Sequence, residues 1–497
     1  MKERVSRRGV LAGLGGLTLW PGLVAAGAPN ASLHPVPRPA DLKVKAGGGL
    51  DGLVARFGIR GDVVCAVADV QSGLHLEALD GGRGLPPASV AKALTALYAL
   101  DVLGSAYRFQ TRVIVTGSIQ SGVLTGDLVL KGGGDPTLDT DDLAALVAKI
   151  KAAGIREVKG DFIVDDSALP YVRSIDKEQP DHVGYSPSVS GIGLNYNRVH
   201  FQWKRGSSGY SVQMDARTEK YRPDVQMARM KVAKRRAPVY TYEDRNGVDQ
   251  WSVASAALGD GGSRWLPVRK PAAYAADVFS TLARVNGVKL PKAKLRSAQG
   301  GTMIASHSSK DLQTILRGML KYSNNLTAEM VGMTATAKRG VPFRTLKQSG
   351  QAMSDWAAQK YGMQNTRLVD HSGLGDASRM APKDLVDALV QVRQSNALRP
   401  ILKPFLMRDS KGRINKAHPI KVDAKTGTLN FVSGLGGFMT AADGTELAFA
   451  IFVADQERRS RISREERERP EGARPWNRSA KKLQQKMIER WGSLYGS

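Results

Sequence analysis

Hydrophobic positions recur with different periods along the chain and divide it into segments. The run DVVCAVADV at 62–70 and the run at 74–79 are β-branched and apolar, and Gln71-Ser72-Gly73 between them has the composition of a turn, so the pair predicts a β-hairpin. After Gly81-Gly82-Arg83-Gly84 and Pro86-Pro87, residues 89–100 are rich in helix formers, which starts a helix at or beside Ser89. Strand-like pieces at 111–116, 128–130 and 162–164 surround a helical stretch at 141–153, the pattern of a small α/β unit. Near Lys204 the texture turns polar and basic, with short strand-like fragments such as 238–242, and this continues to Trp265.

Helical periods return at 272–285, 310–321, 326–338, 348–360 and 382–395; the last opens on Pro382, whose fixed φ suits a first turn. Three strands follow at 419–429, 434–440 and 446–454, the last two joined through Asp443-Gly444, so an antiparallel sheet is expected. No segment recurs with a period of roughly 20 to 50 residues, which excludes solenoids and propellers.

Composition adds scale and compartment. A chain of 497 residues with 42% hydrophobic content has room for several domains, each with a core. Residues 1–8 are basic and an apolar run extends from Gly9 to Val24, the form of a signal peptide. Ser6-Arg7-Arg8-Gly9-Val10-Leu11 resembles the twin-arginine export signal. Gly13, Gly15, Gly16, Pro21 and Gly22 interrupt the run, which is short for an anchor, so cleavage after Ala26 and a mature start at Gly27 are expected. The expected location is the periplasm. Cys65 is the only cysteine, so no intramolecular disulfide and no CxxC site exists, and its apolar neighbours put it in a core.

A net charge of +26 favours a polyanionic partner. For an exported protein that partner is an anionic wall polymer or a membrane surface rather than nucleic acid. Residues 204–236 carry ten Lys or Arg against three acids and residues 457–490 twelve against six; both runs are also compatible with plain solvated faces.

The chemistry rests on three short motifs. Ser-x-x-Lys occurs at Ser89/Lys92, Ser174/Lys177 and Ser479/Lys482, and only the first opens a helix that follows a loop. There a spacing of three sets Lys92 on the face of Ser89, about one turn along. A serine hydroxyl attacks only when a base takes its proton, and a lysine serves only when burial or nearby positive charge makes it neutral, so Lys92 is the candidate base for Ser89. Lys425-Thr426-Gly427 lies on the first strand of the expected C-terminal sheet, where Gly427 allows close approach and Lys425 suits a carboxylate. Ser323-Asn324-Asn325 joins two helical periods; the Ser323 hydroxyl suits proton relay and the Asn325 amide carbonyl recognition. No histidine falls in an HExxH or comparable pattern, so no metal or other cofactor is expected.

The order SxxK, SxN, KTG, each on a suitable element, resembles the serine penicillin-recognising enzymes, and within them the low-molecular-mass class C penicillin-binding proteins, the D-alanyl-D-alanine carboxypeptidase/endopeptidase family. Pro87-Ala88-Ser89, Gly126-Asp127-Leu128-Val129-Leu130, Gly133-Gly134-Asp135-Pro136-Thr137-Leu138 and Ala328-Glu329 strengthen the likeness. It implies an α/β (α+β) fold: a serine β-lactamase/transpeptidase-like catalytic domain, an antiparallel sheet flanked by helices, with two inserted domains. The expected boundaries are a leader at 1–26, the catalytic domain at 27–109 and 300–497, an α/β insertion at 110–190 and 266–299, and a β-rich basic insertion at 191–265. Where such proteins often read Asp-Gly-Ser-Gly-Leu-Ser, this chain has Asp370-His371-Ser372-Gly373-Leu374-Gly375, a difference expected to touch a loop and not the catalytic set.

The resemblance implies hydrolysis of D-alanyl peptide bonds of peptidoglycan stem peptides, with β-lactams as acylating inhibitors and crosslink cleavage in the same cleft. Lys425 and Thr426 would hold the terminal carboxylate beside Gly427. The amides of Ser89 and Thr428 would stabilise the oxyanion, and Ser323 would relay the proton to the leaving amine. Two other readings stay open: a serine β-lactamase, for which Tyr322-Ser323-Asn324 supplies a Tyr-x-Asn, and a catalytically weak wall-binding scaffold.

Overall fold

The computed structural model describes residues 49–496. The expected leader, with its twin-arginine-like motif and cleavage site, lies outside the described residues.

The apolar runs near the two ends of the described chain meet in one sheet. Asp62–Asp69 pairs with His75–Leu79 in the expected hairpin and, on its other edge, with Glu446–Ala454. The six-stranded sheet has the order Lys403–Pro404, Lys421–Leu429, Val432–Thr440, Glu446–Ala454, Asp62–Asp69, His75–Leu79. All neighbours are antiparallel. Its central strands are apolar throughout because both faces are covered. Val64, Ala66, Ala448, Ala450 and Phe452 face the helical layer, while Val63, Cys65, Leu447, Phe449 and Ile451 face the opposite side. That division is the two-residue period of a strand.

The opposite side is covered by the helix Ala473–Tyr495, inside the tail whose charge alone was noted above. Trp476, Ala480, Leu483, Met487 and Trp491 recur at helical spacing and are buried against the sheet. Arg474, Arg478, Lys481, Lys482 and Lys486 occupy the exposed face. Each large apolar side chain buried in this way contributes about 1.5–3 kcal/mol.

The helical layer is built around Ala91–Leu103, which buries Ala91 through Ala99 on every side. Alanines at 91, 93, 96 and 99 leave room for the helices Leu312–Tyr322, Asn325–Lys338 and Leu346–Tyr361, which share its apolar cluster. A helix without a polar stripe belongs inside a core. Thr345 and Gln348 close a capping box at the start of Leu346–Tyr361.

A second sheet, of five strands, runs in the order Ala293–Leu295, Phe162–Asp165, Leu128–Lys131, Gln110–Val115, Thr302–Ser308, its last strand coming from the segment 300–497 expected to be catalytic. The helices Thr140–Ala152 and Pro271–Val285 share its core. Two three-stranded sheets carry the basic segment. One pairs Arg198–Gly206 with Gly209–Asp215 and Gly261–Pro267; the other pairs Val248–Ala254 with Ala228–Ala233 and Tyr240–Arg245. One apolar cluster runs continuously from Val113, Phe162 and Phe279 to Phe201 and Trp251. Among the described residues no helix is long and apolar enough to cross a membrane.

Candidate active site

Ser89 sits on the 3-10 turn Ala88–Val90 that leads into Ala91–Leu103, and Ala88 takes a left-handed φ of 47°. Close backbone contacts press this turn into place. A Cβ on Gly427 would stand 2.6 Å from the Pro87 carbonyl oxygen and 3.0 Å from the Ser89 nitrogen. One on Gly373, at φ +73°, would collide with the Ala88 carbonyl. Only glycine lets the strand Lys421–Leu429 and the 370–375 loop come this near.

One turn after Ser89, the side chain of Lys92 is fully buried. Its Nζ lies 2.9 Å from Ser89 Oγ, 2.7 Å from Asn325 Oδ1 and 2.7 Å from the Ser372 carbonyl oxygen. Burial lowers the Lys92 pKa to about 8, against an opposing pull from the carboxyl groups of Glu329 and Asp370. Those acids are themselves buried. Burial, with Asp370 adding repulsion, pushes Glu329 up to about 8, and burial likewise raises Asp370. Glu329 accepts the amides of His371 and Ser372 at 2.9 Å each, and Asp370 accepts those of Gly373 and Gly375 at 2.7 and 2.6 Å.

The 370–375 loop meets the site through a residue that the usual pattern shares, the Ser372 carbonyl being a direct partner of Lys92, whereas the differing residues His371 and Gly375 donate their amides to Glu329 and Asp370. His371 fills the space over Gly332, its ring bonded to Ser349 Oγ at 2.8 Å, and burial lowers its pKa to about 3, so it is a neutral packing group.

The SxN segment forms the junction of two helices. Ser323 ends Leu312–Tyr322 in a left-handed conformation at φ 57°, and Asn324 caps Asn325–Lys338 by accepting the Thr327 amide. With Asn324 spent on the cap, Ser323 and Asn325 turn toward the two lysines. Ser323 Oγ accepts from Lys425 Nζ at 3.0 Å, and Asn325 Nδ2 donates to the Tyr185 carbonyl at 2.9 Å. Tyr322 is 73% exposed and lies under Lys321, so the Tyr-x-Asn frame does not face Lys92.

Lys425 is buried, and burial, reinforced by the positive charges of Lys92 and Lys403, holds its pKa well below the ordinary lysine value. Its other partner is the Thr426 carbonyl at 2.7 Å. Thr426 and Thr428 are exposed on the same strand. The remaining Ser-x-x-Lys occurrences are elsewhere: Ser479 and Lys482 lie on the exposed face of the last helix, and Lys177 is exposed in a loop.

The structure thus joins Ser89, Lys92 and Asn325, and joins Ser323 with Lys425. Sequence reasoning missed the Ser372 and Tyr185 carbonyls, Asp370, and the part played by Glu329. The one available signal was an acid inside the apolar helix run LTAEMVGM.

The profile of the D-Ala-D-Ala carboxypeptidase 3 (S13) family matches residues 49–469. A D-alanyl-D-alanine carboxypeptidase of Actinomadura sp. (strain R39) is 30% identical over 419 residues, covering 78% of this chain and 76% of that protein. The crystal structure of penicillin binding protein 4 (dacB) from Haemophilus influenzae superposes with a TM-score of 0.69 at 22% identity, over 82% of this chain and 93% of the other. The same protein complexed with a β-lactam gives a TM-score of 0.66 at 23% identity, over 82% and 92%.

Proposed function

This chain belongs to the D-Ala-D-Ala carboxypeptidase 3 (S13) family and is a serine DD-peptidase of peptidoglycan; from that premise we propose that Ser89 is its acylated nucleophile and Lys92 the base that activates it. The observation carrying this is the position of Lys92 Nζ, 2.9 Å from Ser89 Oγ in a buried site that lowers its pKa to about 8. At neutral pH a tenth or so of such a lysine is neutral, against well under a thousandth at an ordinary lysine pKa. Burial thereby supplies the base that the hydroxyl lacks.

In the proposed reaction the terminal carboxylate of a D-alanyl-D-alanine stem peptide docks at Lys425 and Thr426, beside Gly427. Lys92 takes the Ser89 proton as Oγ bonds to the penultimate carbonyl carbon. The oxyanion rests on the amides of Ser89 and Thr428, each such donor being worth roughly 3 kcal/mol. Ser323, hydrogen-bonded to Lys425, relays to the leaving nitrogen the proton that Lys92 took from Ser89 as the C–N bond breaks, which leaves Lys92 neutral again, and Asn325 holds Lys92 and the acyl amide in line. Water then hydrolyses the ester, and Ser89 recovers its proton. The same steps with a diaminopimelyl amine as leaving group cut a crosslink.

Incubating the purified protein with a stem pentapeptide tests the reaction through release of D-alanine. Mass mapping of a benzylpenicillin adduct tests the nucleophile. Release together with one adduct on Ser89, absent from Ser89→Ala, is expected. Rapid drug turnover without D-alanine release would instead support the β-lactamase reading, and neither adduct nor release the scaffold.

The peptide-bearing wall lies outside the cytoplasmic membrane, which fits an exported, periplasmic protein. Export by the twin-arginine route is our reading of Arg7-Arg8, and retention of Arg7→Lys/Arg8→Lys protein in the cytoplasm would support it. Lys220, Arg222, Arg229, Lys231, Lys234 and Arg236 are exposed, which supports contact of this lobe with an anionic wall polymer or membrane surface. Salt-sensitive cosedimentation with isolated wall sacculi, and with anionic vesicles, tests the two surfaces.

A further inference from the structure

Beside the SxN junction opens a pocket of about 310 Å³ lined by residues of the junction and of the segment 184–265. Ser323, Asn324 and Asn325 form one wall; Tyr196, Arg198 and Trp265 form the other. That second wall is built rather than incidental. Asn195, Tyr196 and Asn197 all take left-handed backbone, at φ 50°, 57° and 51°. The turn is held there because Asn197 Oδ1 accepts the Leu194 amide at 3.0 Å and Asn195 Oδ1 accepts the Thr140 amide at 3.2 Å. Strained backbone that its surroundings over-determine marks a placed side chain, here Tyr196.

Arg198 is clasped by the rings of Tyr196 and Trp265, its guanidinium carbon 5.4 and 5.6 Å from their centroids. Its Nε is buried without a hydrogen-bond partner, and among the described residues its side chain forms no ion pair. An arginine stacked between two rings stays charged and presents a planar donor fork, the geometry that receives a carboxylate on two bonds. The pocket's volume is at the lower end of small-ligand sites, roughly 300 Å³ and upward. Free D-alanine would leave most of it empty.

We infer that this pocket receives the leaving strand of a cross-linked substrate, and that Arg198 pairs with a carboxylate of that strand. The inference rests on the proposed mechanism, in which Ser323 protonates the leaving amine. A leaving group departing over Ser323 continues into the space that Ser323 itself lines. The acyl half, held by the Ser89 ester, does not leave by that route. Arg198 is thus a specificity residue that favours crosslink cleavage over trimming of a single stem.

The test compares full-length wild type, Arg198→Gln and Arg198→Lys on two substrates, a monomeric disaccharide pentapeptide and a D-alanyl-diaminopimelyl cross-linked dimer, with benzylpenicillin acylation as a third readout. For Arg198→Gln, kcat/KM on the dimer is expected to fall about 10- to 100-fold, chiefly through KM, as loss of a charged hydrogen-bond pair does. Monomer hydrolysis and acylation stay within about twofold, which also shows that the variant folds, and Arg198→Lys recovers part of the loss. Equal losses on monomer and dimer would overturn the inference by putting Arg198 on the acyl side, and an unchanged dimer rate would overturn it outright. Failure of the wild type to acylate or to release D-alanine would instead sink the parent mechanism.

Discussion

Two buried lysines belong to the site, and their surroundings differ in sign. Lys92 has carboxyl groups behind it, Glu329 and Asp370, which offset part of the cost of its burial and leave its pKa at about 8. Lys425 has none among its partners: Ser323 Oγ and a carbonyl bond it, and its charged neighbours are Lys92 and Lys403. The first is thereby poised to exchange a proton near neutral pH. The second is short of a negative partner, and an incoming carboxylate would supply one. Burial alone does not assign a lysine its task; the charge around it does.

Substitutions can break this contrast at either end. Lys92→Met removes the base and should lower the rate of β-lactam acylation by about 10²- to 10⁴-fold, measured by stopped flow or quenched mass spectrometry. Lys425→Gln should cost about 10- to 100-fold in kcat/KM on peptides with a free terminal carboxylate, and much less on the corresponding amides, because what is lost is one charged hydrogen bond to the substrate. Glu329→Gln replaces one of the two oxygens that accept the loop amides and removes a carboxyl whose ionised form favours protonated Lys92. It should slow acylation about tenfold, lower the melting temperature and move the pH–rate profile to lower pH, since a lysine with less negative charge nearby loses its proton earlier. The smallest effect belongs outside the cleft. Thr345→Ala removes a helix cap and should cost about 1 kcal/mol in unfolding free energy with acylation unchanged, showing that the larger losses are not general destabilisation.

The side chains proposed to carry the reaction were legible in the sequence because such roles depend on residue type. Ser89, Lys92, Ser323, Asn325 and Lys425 could each be named from residue type and order. The contacts that tune them were not legible. The Ser372 carbonyl that holds Lys92 is 280 positions away, and a backbone oxygen has no residue signature. Asp370 and Glu329 read as ordinary acids until the fold buries them together. In the catalytic sheet and its helices, the hairpin at Asp62–Asp69 and the three C-terminal strands followed from clean alternation or continuous apolar runs. The helix Ala473–Tyr495 did not, because the basic run at 457–490 drew the reading to charge while Trp476, Leu483, Met487 and Trp491 kept a helical period beneath it.

The pH dependence of the second-order rate of Ser89 acylation by benzylpenicillin tests the central claim most directly, since it reports the free enzyme's base. If neutral Lys92 takes the proton, the rate should climb close to tenfold per pH unit from about pH 6 and level off as pH passes about 8. A rate that is flat across that window, or that falls as pH rises through it, would contradict the assignment of Lys92 as the base.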